Sequence, residues 1–242
     1  MMNDMIVKVC GMRDGENIRQ VAGLGVDWIG MIFWDKSPRN VTMIPTHAGI
    51  IPDRVNDQWT VPDCPYKRVG VFVDEMAQNI ITRAVNFKLD LIQLHGQETP
   101  TLIRNLRRTL DPDIRPGIQF IKAITIPTAD HKACRDIIAT YKQYEDCVDY
   151  FLFDTRAAAG SPTSLPGGTG QQFDWDILSE YDGDVPFLLS GGIGPDDAER
   201  IMVFRHPKCV GIDLNSRFET EPGIKDVEAL RRFLSQIARS SH

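Results

Sequence analysis

Cys10 and Asp154 are the two side chains best placed to do chemistry. Met5 to Cys10 reads as a β-strand that Gly11 breaks at once. Side chains alternate along an extended chain, so Ile6, Lys8 and Cys10 share one face while Val7 and Val9 share the other. An ammonium two residues away on the same face lowers a thiol's pKa and favours the thiolate, which can take a proton or attack carbon. The same thiol also reads as a small buried hydrophobe, the commoner role of a free cysteine. Asp154 ends an apolar strand, Tyr150-Phe151-Leu152-Phe153. There it either caps the following loop or serves as an acid, desolvation raising its pKa so that it keeps a proton to donate. A thiol and a carboxyl across one mouth form an acid/base pair of two residue types, suited to moving protons on a substrate.

Two further stretches suit an anion. Ser190-Gly191-Gly192-Ile193-Gly194 ends one strand, where bare backbone N–H groups can close on a phosphate. Gly211-Ile212-Asp213-Leu214-Asn215-Ser216 ends the next, where a short helix N-terminus would add its dipole. For any single glycine a tight turn is sufficient reason; two such stretches on adjacent strands favour phosphate. Arg39, in Ser37-Pro38-Arg39, carries a planar fork suited to a carboxylate, although many loop arginines are merely solvated.

The elements that must position these groups alternate. Strands are expected at 5–10, 27–34, 68–73, 89–95, 119–124, 150–154, 186–190 and 209–213, and helices at 14–24, 76–87, 99–110, 130–144, 175–181, 195–204 and 225–238. The Thr42 to Tyr66 stretch, with Pro45, Pro52, Pro62 and Pro65, reads as an irregular excursion with a weak helix around Ala48 to Ile51. About eight strand–helix units in 242 residues predict one α/β domain over 1–242, a (β/α)8 TIM barrel with its phosphate site after strands 7 and 8. A doubly wound sheet would use the same units but would be expected to open with Gly-x-Gly-x-x-Gly after the first strand. In a barrel the strand ends share one mouth, which collects Cys10, Arg39, Asp74, His95, Asp154, Gly191, Gly192 and Asp213. Alternation adds Lys8, Gln93, Lys122 and Ser190 as inward-facing. The glycine-rich stretch from Ala157 to Gly170 is a candidate lid, with passive disorder as the other reading.

Composition narrows the partners. A net charge of −6 argues against nucleic acid, and no apolar run approaches a membrane span. The start lacks the basic and apolar regions of a secretory signal, and five cysteines without tight spacing fit a reduced compartment, so a cytoplasmic protein is expected. His47, His131, His206 and His242 have no metal-ligand spacing, so no metal is expected, and Cys64, Cys134, Cys147 and Cys209 read as filler or surface.

Taken together, the sequence resembles the phosphoribosylanthranilate isomerases of tryptophan biosynthesis over nearly its whole length. The likeness is carried by Lys8-Val9-Cys10-Gly11-Met12, Ser37-Pro38-Arg39, Gly70-Val71-Phe72-Val73, Gln93-Leu94-His95-Gly96, Phe153-Asp154, Gly168-Thr169-Gly170 with Phe173-Asp174-Trp175, Ser190-Gly191-Gly192-Ile193, and Gly211-Ile212-Asp213 with Ser216. The resemblance implies an Amadori rearrangement of N-(5-phosphoribosyl)anthranilate, with Asp154 as general acid and Cys10 as general base. It implies Arg39 on the anthranilate carboxylate, Gly191, Gly192, Asp213, Asn215 and Ser216 around the phosphate, and Gln93 and His95 lining the pocket. It implies no cofactor, because the substrate nitrogen is the electron sink, and a monomer or homodimer acting on a small phosphorylated molecule. Two departures stand out. Ser216-Arg217 replaces the common Ser-Gly, altering the phosphate turn or adding a cation to it, and the Thr42 to Tyr66 excursion is long enough to displace the second helix. A histidine-pathway sugar-phosphate isomerase would be expected to carry an aspartate at position 10 and a half-barrel repeat. A non-catalytic phosphate-binding barrel would need neither Cys10 nor Asp154.

Overall fold

Eight parallel strands close into a ring in the computed structural model, which describes residues 5–46, 49–52, 65–127, 131–156 and 175–239. The barrel strands are β1 (Ile6–Val9), β2 (Trp28–Ile32), β3 (Lys67–Phe72), β4 (Leu91–Leu94), β5 (Gln119–Pro127), β6 (Tyr150–Arg156), β7 (Phe187–Leu189) and β8 (Cys209–Leu214). Each pairs with its neighbours in chain order and β8 returns to β1, the (β/α)8 barrel that the alternation predicts.

Alternation divides the apolar residues into two layers. Trp28, Val69, Val71, Leu91, Ile121 and Leu152 fill the interior with Cys10. Val7, Val9, Phe72, Phe120, Phe151 and Phe187 face outward against the helices. Gly211 lies inside β8 and not in a turn; a Cβ there would stand 2.4 Å from the Ile6 carbonyl oxygen, so this glycine serves strand approach. Lys122 corrects the expected inward set, because Ile121 and Ala123 take the interior positions of β5. Lys122 faces outward instead, bonding Glu98 Oε2 (3.0 Å) and the carbonyls of Leu94 (3.3 Å) and Gly96 (2.7 Å).

The outer helices are α1 (Gly15–Ala22), α2 (Ala77–Asn86), α3 (Pro100–Leu110), α4 (His131–Ile138), α5 (Ala198–Val203) and α6 (Val227–Arg239). Side-chain caps start two of them: Asp14 accepts from the Asn17 N–H, and Thr99 from that of Leu102. After β6 the expected helix is a 3-10 turn, Trp175–Glu180. The weak helix expected around Ala48 to Ile51 is also corrected, for Met43–Thr46 pairs antiparallel with Gly49–Pro52. Pro45 and Pro52 supply no N–H to a helix, and Ile44, Ile50 and Ile51 favour extended chain. The rest of that excursion and the candidate lid at 157–170 lie outside the described residues. A second hairpin, Glu219–Glu221 with Ile224–Lys225, precedes α6 and was not expected from the sequence.

Candidate active site

Cys10 stands at the carboxyl end of β1, pointing inward and buried, its N–H bonded to the Leu214 carbonyl at 2.8 Å. Gly30 on β2 makes the room, since a Cβ there would lie 2.8 Å from Cys10 Sγ. One layer down, Lys8 Nζ reaches Asp213 Oδ1 at 2.7 Å, and Ser190 Oγ donates to Asp213 Oδ2 at 3.1 Å. The three strand ends are thereby tied together by a buried, mutually satisfied polar group. Burial opposes the charge on Lys8, yet the Asp213 carboxylate holds the ammonium's pKa above its ordinary value. For Cys10 the balance falls the other way from the sequence expectation. Burial pushes the thiol up and outweighs the lowering by Lys8, with Asp213 raising it further and Lys225 lowering it.

Across the mouth, Gln93 and His95 end β4 and Asp154 lies near the end of β6. His95 Nε2 stands 3.3 Å from Asp154 Oδ2, and Gln93 Nε2 stands 3.3 Å from His95 Nδ1. The apolar seat expected for Asp154 is not found. Phe151 and Phe153 point outward, and the carboxyl side chain is 18% exposed. Around the ring Asp154 is three strands from Cys10, so the two enter the mouth from nearly opposite walls. Asp74, also expected here, is structural: its Oδ1 accepts from the Gln97 N–H at 2.5 Å.

Arg39 is buried rather than solvated, and its fork is engaged. Its Nε and Nη2 meet the Glu219 carboxylate at 2.6–3.0 Å, while Lys225 Nζ reaches Glu219 Oε1 at 2.6 Å and Asn215 Oδ1 at 2.9 Å. Despite burial, Arg39 and Lys225 hold the Glu219 carboxyl below the usual carboxylate range. Gly11 sits against this cluster, for a Cβ there would come within 2.7 Å of Asn215 Oδ1 and 2.8 Å of Arg39 Cδ. Asn17 pins Lys225 through both backbone groups, at 2.7 and 2.9 Å. Glu219 and Lys225 escaped the sequence reading because they lie past the last strand, in the hairpin. The signal was there in Glu219 and Lys225 on either side of the turn pair Pro222-Gly223, a few residues past β8.

The phosphate residues divide. Gly191 (φ 90°) and Gly192 (φ 68°) adopt the left-handed conformation that glycine tolerates best, and nothing lies within 4 Å of the Cβ position at Gly192. Ser216 opens the expected short helix, a 3-10 turn of Ser216–Phe218. The side chains of Asp213 and Asn215 are directed elsewhere, to Lys8 with Ser190 and to Lys225. Among the described residues no helix is long and apolar enough to cross a membrane, and no group of His, Cys, Asp and Glu is arranged to hold a metal.

The model of the N-(5'phosphoribosyl)anthranilate (PRA) isomerase family matches residues 7–236. The chain is 45% identical over 233 residues to N-(5'-phosphoribosyl)anthranilate isomerase of Parabacteroides distasonis, covering 96% of this chain and 93% of that one. It is 40% identical over 233 residues to its counterpart in Phocaeicola vulgatus, covering 96% and 98%. A solved structure of phosphoribosyl anthranilate isomerase from Thermotoga maritima is similar with a TM-score of 0.72 at 25% identity, covering 97% of this chain and 99% of that one. Another solved phosphoribosyl anthranilate isomerase, in complex with reduced 1-(o-carboxyphenylamino)-1-deoxyribulose 5-phosphate, gives 0.71 at 24%, covering 97% and 99%. With a barrel closed around an inward thiol and carboxyl, and a family match over almost its whole length, the chain belongs to the N-(5'-phosphoribosyl)anthranilate isomerase family.

Proposed function

We propose that this chain catalyses the Amadori rearrangement of N-(5'-phosphoribosyl)anthranilate to 1-(2-carboxyphenylamino)-1-deoxyribulose 5-phosphate in cytoplasmic tryptophan biosynthesis. Asp154 protonates the ribose ring oxygen, the C1′–O bond breaks, and the anthranilate nitrogen carries the cationic Schiff base. Cys10 thiolate then removes the C2′ proton, and the electron pair moves into an enolamine that tautomerises to the ketone. Cys10 then releases the proton it took and Asp154 regains one, so protons are only relocated and the net change is an isomerisation. Arg39, steered by Glu219, meets the anthranilate carboxylate, the Gly191–Gly192 turn and Ser216 meet the phosphate, and His95 returns a proton to Asp154.

The observation that carries this reading is the pairing of an inward Cys10 with an inward Asp154 in a chain that matches this family over residues 7–236. General acid and base groups of this kind each contribute about 10²–10⁴ in rate. The test is the loss of substrate fluorescence on adding protein. Wild type should consume it, while Cys10→Ala and Asp154→Asn should not at comparable rates. Tight binding without turnover would favour a non-catalytic barrel instead.

A further inference from the structure

We propose that Arg217 is a ligand of the substrate phosphate, a guanidinium laid from the β8 turn across the β7 turn. Arg217 belongs to the 3-10 turn Ser216–Phe218, which buried Phe218 anchors by packing on Phe233 with ring centroids 5.1 Å apart. Its side chain crosses Gly194: a Cβ there would lie 2.5 Å from Arg217 Nε and 3.0 Å from Cζ. A residue with a side chain at position 194 would push the guanidinium away. The two glycine-bearing segments are thus bridged by one cation.

The surroundings leave that cation available. Arg39, the cation of the neighbouring cluster, is paired with Glu219 through Nε and Nη2 and is the one assigned to the anthranilate carboxylate. Arg217 is exposed and, among the described residues, makes no hydrogen bond or ion pair. Meanwhile the Gly194 N–H donates to Asp197 Oδ2 at 2.7 Å, and Asp197 is buried. That bond withdraws one backbone donor from the turn and sets a carboxylate behind it. An anion resting on backbone amides alone would lack one contact and face that negative charge. A guanidinium over Gly194 supplies both the missing donors and the opposing charge, and its planar fork matches two phosphate oxygens. Gly192 keeps the remaining side open, with nothing within 4 Å of its Cβ position.

This inference rests on the proposed phosphate site and adds the side chain that discriminates for it. For Arg217→Ala, KM for N-(5'-phosphoribosyl)anthranilate should rise about tenfold or more, as expected for losing a hydrogen bond to a charged group, with kcat far less affected. Inhibition by inorganic phosphate should weaken by a similar factor, inhibition by anthranilate should not change, and Arg217→Lys should recover part of the loss. Unchanged KM and phosphate inhibition in Arg217→Ala would overturn the proposal, as would equal weakening toward phosphate and anthranilate. Should wild type fail to isomerise the substrate, the proposed function falls on its own. Calorimetric titration with inorganic phosphate then still decides Arg217: weaker binding by Arg217→Ala supports it, and equal or absent binding in both proteins refutes it.

Discussion

The two walls of the barrel mouth handle charge in opposite ways. On the β8–β1 wall, Cys10 is buried beside a sealed Lys8–Asp213–Ser190 group in which every charge has a partner. On the β4–β6 wall, His95 and Asp154 are 16% and 18% exposed and share a longer contact of 3.3 Å. The contrast fits a base and an acid with different needs. A carbon acid is deprotonated best by a base that water does not solvate, whereas the more exposed acid has His95 beside it to hand a proton back.

The largest effects come from deleting one member of each wall. Cys10→Ala and Asp154→Asn should each lower kcat by about 10²–10⁴ while the protein still melts cooperatively. Next comes breaking the sealed wall, since Lys8→Met strands Asp213 as a buried unpaired charge. A loss of about 3–5 kcal/mol in denaturant unfolding is expected, together with lost activity. Lys122→Met strands Glu98 on the outer face and should cost similar stability, yet the folded fraction should lose less turnover than with Lys8→Met, because the pair touches the mouth only through the carbonyls flanking His95. Equal activity losses in the two variants would erase the distinction between the walls.

Acidity sharpens the same comparison. Burial raises the Cys10 thiol, so the thiolate gains population only as pH climbs through that raised value. The ascending limb of kcat/KM should therefore extend past about pH 8.5, the ordinary thiol value. A plateau already reached at pH 7 would mean that Lys8 outweighs burial after all. His95→Asn should act more gently, slowing turnover about tenfold with the Cys10 limb unmoved. Smallest of all, Arg104→Ala removes an exposed pair with Asp146 far from either wall and should leave the denaturant midpoint and the turnover where they are in wild type.

Much of the β1 wall was legible in the sequence, because alternation alone puts Lys8 and Cys10 on one face. The same rule misled at Lys122, where the phase of β5 has to be counted from Ile121; at Asp154 the expected apolar seat came from the strand's composition, whereas alternation puts Phe151 and Phe153 in the outer layer. Periodicity located all eight strands, since each is short, apolar and bounded by polar turns. It did not reveal Gly30, Glu219 or Lys225. The first matters only as space for a thiol on a neighbouring strand, and the other two act from a hairpin whose return to the mouth is a tertiary event. Proline and β-branched residues at 44–52 pointed to extended chain, but a short apolar run there also suits a helix turn.

The division of labour between Cys10 and Asp154 is open to one decisive measurement, turnover of substrate deuterated at C2′ by Cys10→Ser and Asp154→Asn. Proton removal should limit the first variant and ring opening the second. A primary isotope effect on kcat is expected with Cys10→Ser and none with Asp154→Asn. The same effect in both variants, or its absence from Cys10→Ser, would contradict the assignment of base and acid to these two walls.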